Sequence, residues 1–383
     1  MKREMIDFIF SGARESHAPD FINEENVKKA VAFYENLDDY EMTPLASLNA
    51  LAEELGLGAV LVKDESKRFG LNAFKAIGGL YAVYRVICDA AGRDELSLDE
   101  ARQLAKSMTF VTATDGNHGR SVAYSANRLG ARSVIFMPRG TAKSRIENIE
   151  KIPSAEVFVT QKSYDGTVET AREYAQKMGG HLVQDTSFEG YEVIPGYINT
   201  GYCVMAREAL LQSARYGGFT HVFLQAGVGS MAAAVAGYYD NVMREKPRSV
   251  IVEPHAANCI FASVKAGDGR AHSLLEDKPT IMAGLNCQTP SMISWEILRD
   301  VPYGYASIGD ETAKTGMRIL KRYGITSGES GAATMGLLHA IMTAPRLEGV
   351  RIKLGLNSAA RVLIFSTEGD TDPENYKKIT QGY

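Results

Sequence analysis

Short, unbroken apolar runs recur along this chain, at 59–62, 109–113, 133–137, 157–160, 181–183, 221–226, 250–253 and 362–367. A strand covered on one face alternates apolar and polar residues, whereas a strand covered on both faces has no polar phase. Between the runs lie helical patterns. Phe74, Ile77, Tyr81, Tyr84 and Cys88 step by three and four along one helix face, and 121–129, 142–151, 164–178 and 231–244 also have helical character. Strand–helix alternation with short connections leaves one economical architecture, an α/β fold of mostly parallel, open twisted sheets with helices on both faces.

Composition then removes several function classes. The 383 residues carry 42 basic and 46 acidic side chains, a net charge of −4, so there is no basic field to hold nucleic acid or an anionic membrane. A hydrophobic share of 45% against 23% charged is too apolar for a disordered chain. No apolar run nears the ~20 residues of a membrane-spanning helix, and the first residues are too broken by acids for a signal peptide. Cys88, Cys203, Cys259 and Cys287 have no metal-ligand spacing, so no metal site is expected. Together these features lead us to expect a cytoplasmic protein.

Three local clusters carry chemistry. Gly227-Val228-Gly229-Ser230-Met231-Ala232 follows an apolar run and opens a helical pattern, a turn whose amides can surround a phosphate. Its spacing also fits a dinucleotide fingerprint, with Glu253 at the end of the next run where a ribose-binding acid would stand, so a nicotinamide-dependent oxidoreductase stays open at this point. Lys75 follows Phe74 at a helix start, a place where most lysines merely reach for solvent. Thr114-Asp115-Gly116-Asn117-His118-Gly119 connects a run to a helix and offers an amide nest for a carboxylate. Taken singly, Asn117, His118 and the aspartates are ordinary turn or cap residues.

Their order resembles the fold-type II pyridoxal-phosphate enzymes, relatives of the tryptophan synthase β subunit and threonine dehydratase. Asn72-Ala73-Phe74-Lys75 is similar to the segment whose lysine bears the cofactor, and Thr114–Gly119 to the asparagine turn. Gly227–Met231 is similar to the phosphate loop, and Ser327-Gly328-Glu329-Ser330-Gly331-Ala332 to a further segment, here without its proline. Within that group, 67–75, the acid at 115, Gln184-Asp185-Thr186-Ser187, 281–287 and Ser366-Thr367-Glu368-Gly369 resemble the diaminopropionate ammonia-lyases.

That resemblance implies pyridoxal 5'-phosphate as cofactor and α,β-elimination of L- and D-2,3-diaminopropionate to pyruvate and two ammonia, with serine or threonine dehydration as the alternative. It implies cofactor contacts from Phe74, Lys75, Asn117, Gly227, Val228, Gly229, Ser230, Met231 and Thr367. Substrate contacts would come from Asp115, Gly116, Asn117, His118 and Asp185, with Lys75, Asp115 and Asp185 catalytic. Asp115 would pair with the β-ammonium group, and the two acids would serve opposite faces of the substrate. Thr367 would offer a neutral hydroxyl to the pyridine nitrogen. The implied organisation is a large cofactor-binding domain of residues 1–88 and 201–383, an inserted smaller α/β domain of 89–200, and a homodimer. Cys259 and Cys287 read as buried thiols, with a redox-sensitive pair as the other reading.

Overall fold

A computed structural model describes residues 6–11, 18–19, 21–114, 116–276 and 278–381. The strands are β1 (Asp7–Phe10), β2 (Leu45–Ser47), β3 (Ala59–Asp64), β4 (Thr109–Ala113), β5 (Arg132–Met137), β6 (Ala155–Val159), β7 (His181–Leu182), β8 (His221–Gln225), β9 (Arg248–Pro254), β10 (Gly304–Ile308) and β11 (Arg361–Ser366). They form a seven-stranded sheet of order β1-β10-β9-β8-β11-β3-β2 and a four-stranded sheet of order β6-β5-β4-β7. Only β1 and β2, at the two edges of the larger sheet, run antiparallel to their neighbours. The smaller sheet is wholly parallel. The expected class, α/β with two mostly parallel sheets, is the class observed.

The chain divides into two compact units, one of Met1–Asn26, Glu41–Phe74 and Cys203–Tyr383, the other of Val27–Tyr40 and Lys75–Tyr202. These divisions differ from the boundaries 88/89 and 200/201 that the resemblance implies, and packing explains where they fall. Helix Ala76–Ala90 lies against helix Asn117–Arg128. Phe33 stacks on Tyr84 at 4.2 Å, and the Tyr34 hydroxyl donates to Ile77 O, tying residues 27–40 to the same unit.

In the first unit the apolar runs 59–62 and 221–226 fall on the buried strands β3 and β8, and β10 is likewise covered along its whole length. One face of the sheet packs Val60, Val62, Phe223, Val250 and Ile364 against helices that include Asp310–Arg322 and Ala333–Thr343. β10 lacks an apolar run because Gly304, Ala306 and Ser307 dilute it. Gly304 is needed there, since a Cβ would stand 2.7 Å from the Phe8 ring of β1. In the second unit Val111, Ala113, Val134 and Phe136 pack against Ala171 and Ala175 of helix Tyr164–Met178.

The first unit also buries four charges. Lys63, which follows the apolar run of β3, donates from Nζ to Glu208 Oε2 at 2.5 Å, Thr43 O at 2.7 Å and Gln212 Oε1 at 2.9 Å. Arg68 forks onto Glu65 at 3.0 and 2.9 Å and onto Glu208 at 2.9 and 2.8 Å. None of these side chains is more than 4% exposed. Burial drives the Lys63 ammonium below its ordinary value although Glu208 and Glu65 oppose it. Burial alone would raise the Glu208 carboxyl, but Arg68 and Lys63 outweigh it and hold it low.

Two cations and two anions thus cancel, and removing one partner strands the others. Glu208→Ala should cost about 3–5 kcal/mol of unfolding free energy in urea titrations. Because the folded-state Glu208 value is depressed, its contribution is present above the unfolded carboxyl value of about 4.3 and is lost as pH falls through the folded one. The difference between wild type and Glu208→Gln should therefore shrink on acidification below about pH 4.

Candidate active site

Lys75 caps helix Ala76–Ala90, its carbonyl accepting from Gly79 N at 3.0 Å and from the Ser121 hydroxyl at 2.9 Å. With its backbone held from two helices, the side chain is aimed. Lys75 Nζ donates to Asp185 Oδ2 at 2.5 Å, with both side chains largely buried. His118 Nδ1 stands 3.7 Å from the same oxygen, and His118 Nε2 is 2.9 Å from Val183 O. A carbonyl can only accept, so Nε2 carries a proton. Burial pushes the Asp185 carboxyl up, but His118 and the Lys75 ammonium outweigh it and hold it well below the usual carboxylate range. Asp185 is therefore an ionised acceptor at neutral pH and has no proton to give.

The turn before helix Asn117–Arg128 is tighter than its sequence implies. Thr114 Oγ1 accepts from Gly116 N at 2.9 Å and from Gly119 N at 3.0 Å, so two of the amides in the nest already have an acceptor inside the protein. Gly119 cannot be larger, because a Cβ would stand 2.2 Å from Thr114 Cγ2. Asn117 opens the helix and His118 is buried in its first turn. Asp115 lies outside the described residues.

In the first unit, β8 runs through Gly227, Val228 and Gly229 into the thirteen-residue helix Ser230–Val242, with Ser230 and Met231 buried at its start. Gly229 has φ +97, a left-handed conformation suited to glycine, and a Cβ there would meet Leu298 Cδ1 at 2.7 Å. At Gly227 a Cβ would stand 3.0 Å from Cys287 Sγ and 3.1 Å from Gly284 O. The turn is thus a backbone cradle with no room for side chains, at the positive end of a helix dipole. It fits a single phosphate group.

At the end of β11, Thr367 is buried, and its Oγ1 accepts from Gln225 Nε2 at 2.9 Å. With Gln225 donating to its oxygen, the Thr367 hydroxyl keeps its own proton available for a second acceptor. Gln225 was not among the residues that sequence singled out. Its one signal is a polar side chain closing an otherwise apolar strand. Phe74 N donates to Thr367 O at 2.9 Å, so the residue before Lys75 is bonded directly to this strand end.

Glu253 resolves the two readings of the glycine turn. Its carboxylate, 1% exposed, accepts from Ile260 N at 2.9 Å and from Phe261 N at 2.6 Å, docking helix Cys259–Ala266. Burial pushes that carboxyl up to about 8. An acid so enclosed and occupied cannot bind a ribose. None of the four cysteines is in a disulfide; Cys259 is buried and Cys287 half-buried beside Gly227.

A helix-capping lysine held by a carboxylate, a one-phosphate cradle and a strand-end hydroxyl are the parts of an enzyme that anchors a phosphorylated aldehyde cofactor. Comparison with known proteins agrees. The family described as "Pyridoxal-phosphate dependent enzyme" matches residues 37–353. A diaminopropionate ammonia-lyase of Salmonella typhimurium is 42% identical, over 98% of each chain. The holo crystal structure of diaminopropionate ammonia-lyase from Escherichia coli has a TM-score of 0.92 at 41% identity, covering 99% of this chain and 97% of that one. The E. coli enzyme in complex with an aminoacrylate–PLP azomethine reaction intermediate has a TM-score of 0.91 at 42% identity with the same coverage. The chain belongs to the pyridoxal-phosphate dependent enzymes, in the family of the diaminopropionate ammonia-lyases.

The cradle makes a direct demand on residue 229. Gly229→Ala places a methyl group against Leu298 on a backbone that L-residues avoid. It should weaken pyridoxal phosphate binding to the apoprotein at least about tenfold, read by fluorescence titration. An unchanged dissociation constant would remove this turn from phosphate binding.

Proposed function

We propose that this protein eliminates both amino groups of 2,3-diaminopropionate, in its L and D forms, consuming one water and releasing pyruvate and two ammonia. The observation that carries the reading is the 2.5 Å ion pair of Lys75 with Asp185, in a chain 42% identical to a diaminopropionate ammonia-lyase along nearly its full length. Bound pyridoxal phosphate supplies an electron sink that stabilises negative charge at Cα.

Lys75 holds the cofactor and moves the Cα proton on its own face of the substrate. Asp185, ionised and hydrogen-bonded to Nζ, fixes where that amine points and compensates its charge. On the phosphate, the amides of Gly227 to Ser230 act with the helix dipole, flanked by Val228 and Met231. Asn117 bonds the cofactor's ring hydroxyl, and Phe74 lines the ring. Thr367, with Gln225 behind it, donates to the ring nitrogen without protonating it. Through that neutral hydroxyl, Thr367 would favour loss of the β-substituent over transamination. The turn 116–119 receives the substrate carboxylate, with Gly116 N also donating to Thr114 Oγ1 inside the protein. Asp115 pairs with the β-ammonium group and serves the opposite face. A cytoplasmic homodimer goes with this reading, as the resemblance to the family implies.

Purified protein should be yellow, and borohydride followed by peptide mapping should place the cofactor on Lys75. A colourless protein that gains nothing from pyridoxal phosphate would overturn the reading. Asp115→Ser should weaken 2,3-diaminopropionate turnover much more than serine turnover, and equal losses would point to a dehydratase. On the pure enantiomers, Asp185→Asn should lower kcat/KM for the L isomer by roughly two to four powers of ten and Asp115→Asn should do the same for the D isomer. If both variants lose both isomers in equal proportion, the two-face assignment fails.

A further inference from the structure

Two sequence features are left over by that mechanism, the segment 67–72 ahead of Lys75 and the turn 327–332, and in the fold they meet at one place. Residues 72–74 pair with 367–369 as a short antiparallel ladder. Phe74 N donates to Thr367 O at 2.9 Å, Ala73 bridges Glu368, and Gly369 N donates to Asn72 O at 3.0 Å. The turn 327–332 backs the same strand end. Gly328 N donates to Glu368 O at 3.0 Å, and Ser330 N donates to the Glu368 carboxylate at 3.2 Å. The Ser366 and Ser327 hydroxyls meet at 2.8 Å.

The loop that enters this ladder has an unusual backbone. Phe69, Gly70 and Asn72 have φ of +50, +67 and +57. Among the described residues only one other non-glycine residue, Ser154, has positive φ. Left-handed asparagine is tolerated where left-handed alanine is not, and Asn72 adds a side-chain bond, Nδ2 donating to Asp370 Oδ1 at 3.1 Å. The amide lies directly on Gly369, where a Cβ would stand 2.0 Å from Asn72 Oδ1. Asn72 thereby closes the ladder, turns the chain and fixes the strand end beyond Thr367. Glu65 and Arg68, at the start of the same segment, are anchored in the buried charge cluster.

We propose that Asn72 is a positioning residue for Lys75. By locking its left-handed turn to Gly369 and Asp370, it sets the direction in which the chain passes through Phe74 into the lysine, in register with Thr367. This rests on the reading of Lys75 as the cofactor lysine.

A reciprocal exchange tests it. Asn72→Asp keeps the size and the tolerance of positive φ but sets a carboxylate against Asp370. It should lower kcat about tenfold with KM little changed, move the pH midpoint of the cofactor's absorbance band, and slow borohydride fixation on Lys75. Adding Asp370→Asn recreates the bond with donor and acceptor exchanged and should bring all three readouts back to within about twofold of wild type. Asn72→Gly, which frees the backbone and deletes the bond, should fall between the exchange pair and Asn72→Ala. If Asn72→Asp matches wild type in all three readouts, or if the second substitution restores nothing while circular dichroism shows a folded protein, the assignment is wrong. Should Asn72→Asp fail to fold, Asn72→Gly decides: wild-type absorbance and fixation in that variant would equally overturn it. Failure of the cofactor reading shows separately, as wild-type protein that borohydride does not label on Lys75.

Discussion

Lys63, Arg68, Glu65 and Glu208 form a charge cluster with almost no access to water, and much of the first unit is arranged around its neutrality. Each ion would be prohibitively costly alone in that environment, and as a closed quartet they satisfy one another through charge-assisted hydrogen bonds. The cluster ties β3 and the loop after it to helix Val193–Ser213 through Glu208 and Gln212. A hydrophobic core of the same volume could be as stable but would accept several alternative packings. A forked guanidinium accepts one, and this one stands at the head of the segment that leads to Lys75.

The fold was legible where burial is complete on both strand faces and obscure where it is not. β3, β8, β9 and β11 stand out as apolar runs because helices cover both sides. β1 and β2 are edge strands of four and three residues, and in β10 Gly304, which makes room for Phe8, Ala306 and Ser307 interrupt the apolar pattern. None of these leaves a pattern in a single sequence. In the site, residues adjacent in sequence were readable as motifs: the glycine turn, the lysine helix start and the asparagine turn. Gln225 behind Thr367 and Glu208 behind Arg68 were not, because their partners lie 142 and 140 positions away in the chain.

Ambiguity in the glycine turn also had a physical resolution. Phosphate and dinucleotide readings share the same backbone, and they part only at the acid on the following strand. That acid, Glu253, is turned inward to dock a helix whose Cys259 and Ile260 lie against the turn, so one residue type serves packing where the other fold would use it for recognition.

The topology has a consequence for how the protein is made. β3 hydrogen-bonds β2 on one side and β11 on the other, and β11 starts at residue 361, about 300 residues further along the chain. At ribosomal rates of about 5–20 residues per second, β3 waits some 15–60 seconds before its main partner exists. Throughout that interval a strand that is apolar over its first four residues and carries the buried Lys63 near its end has an unpaired edge. The four-stranded sheet has no such delay, since β4 to β7 are contiguous in synthesis. Nascent chains should therefore contain an ordered second unit beside an unfinished first one, a state that depends on chaperone protection. Premature termination before β11 would leave β3 and β2 without the strand that joins them to β8, and the Thr367 end of the site would never form.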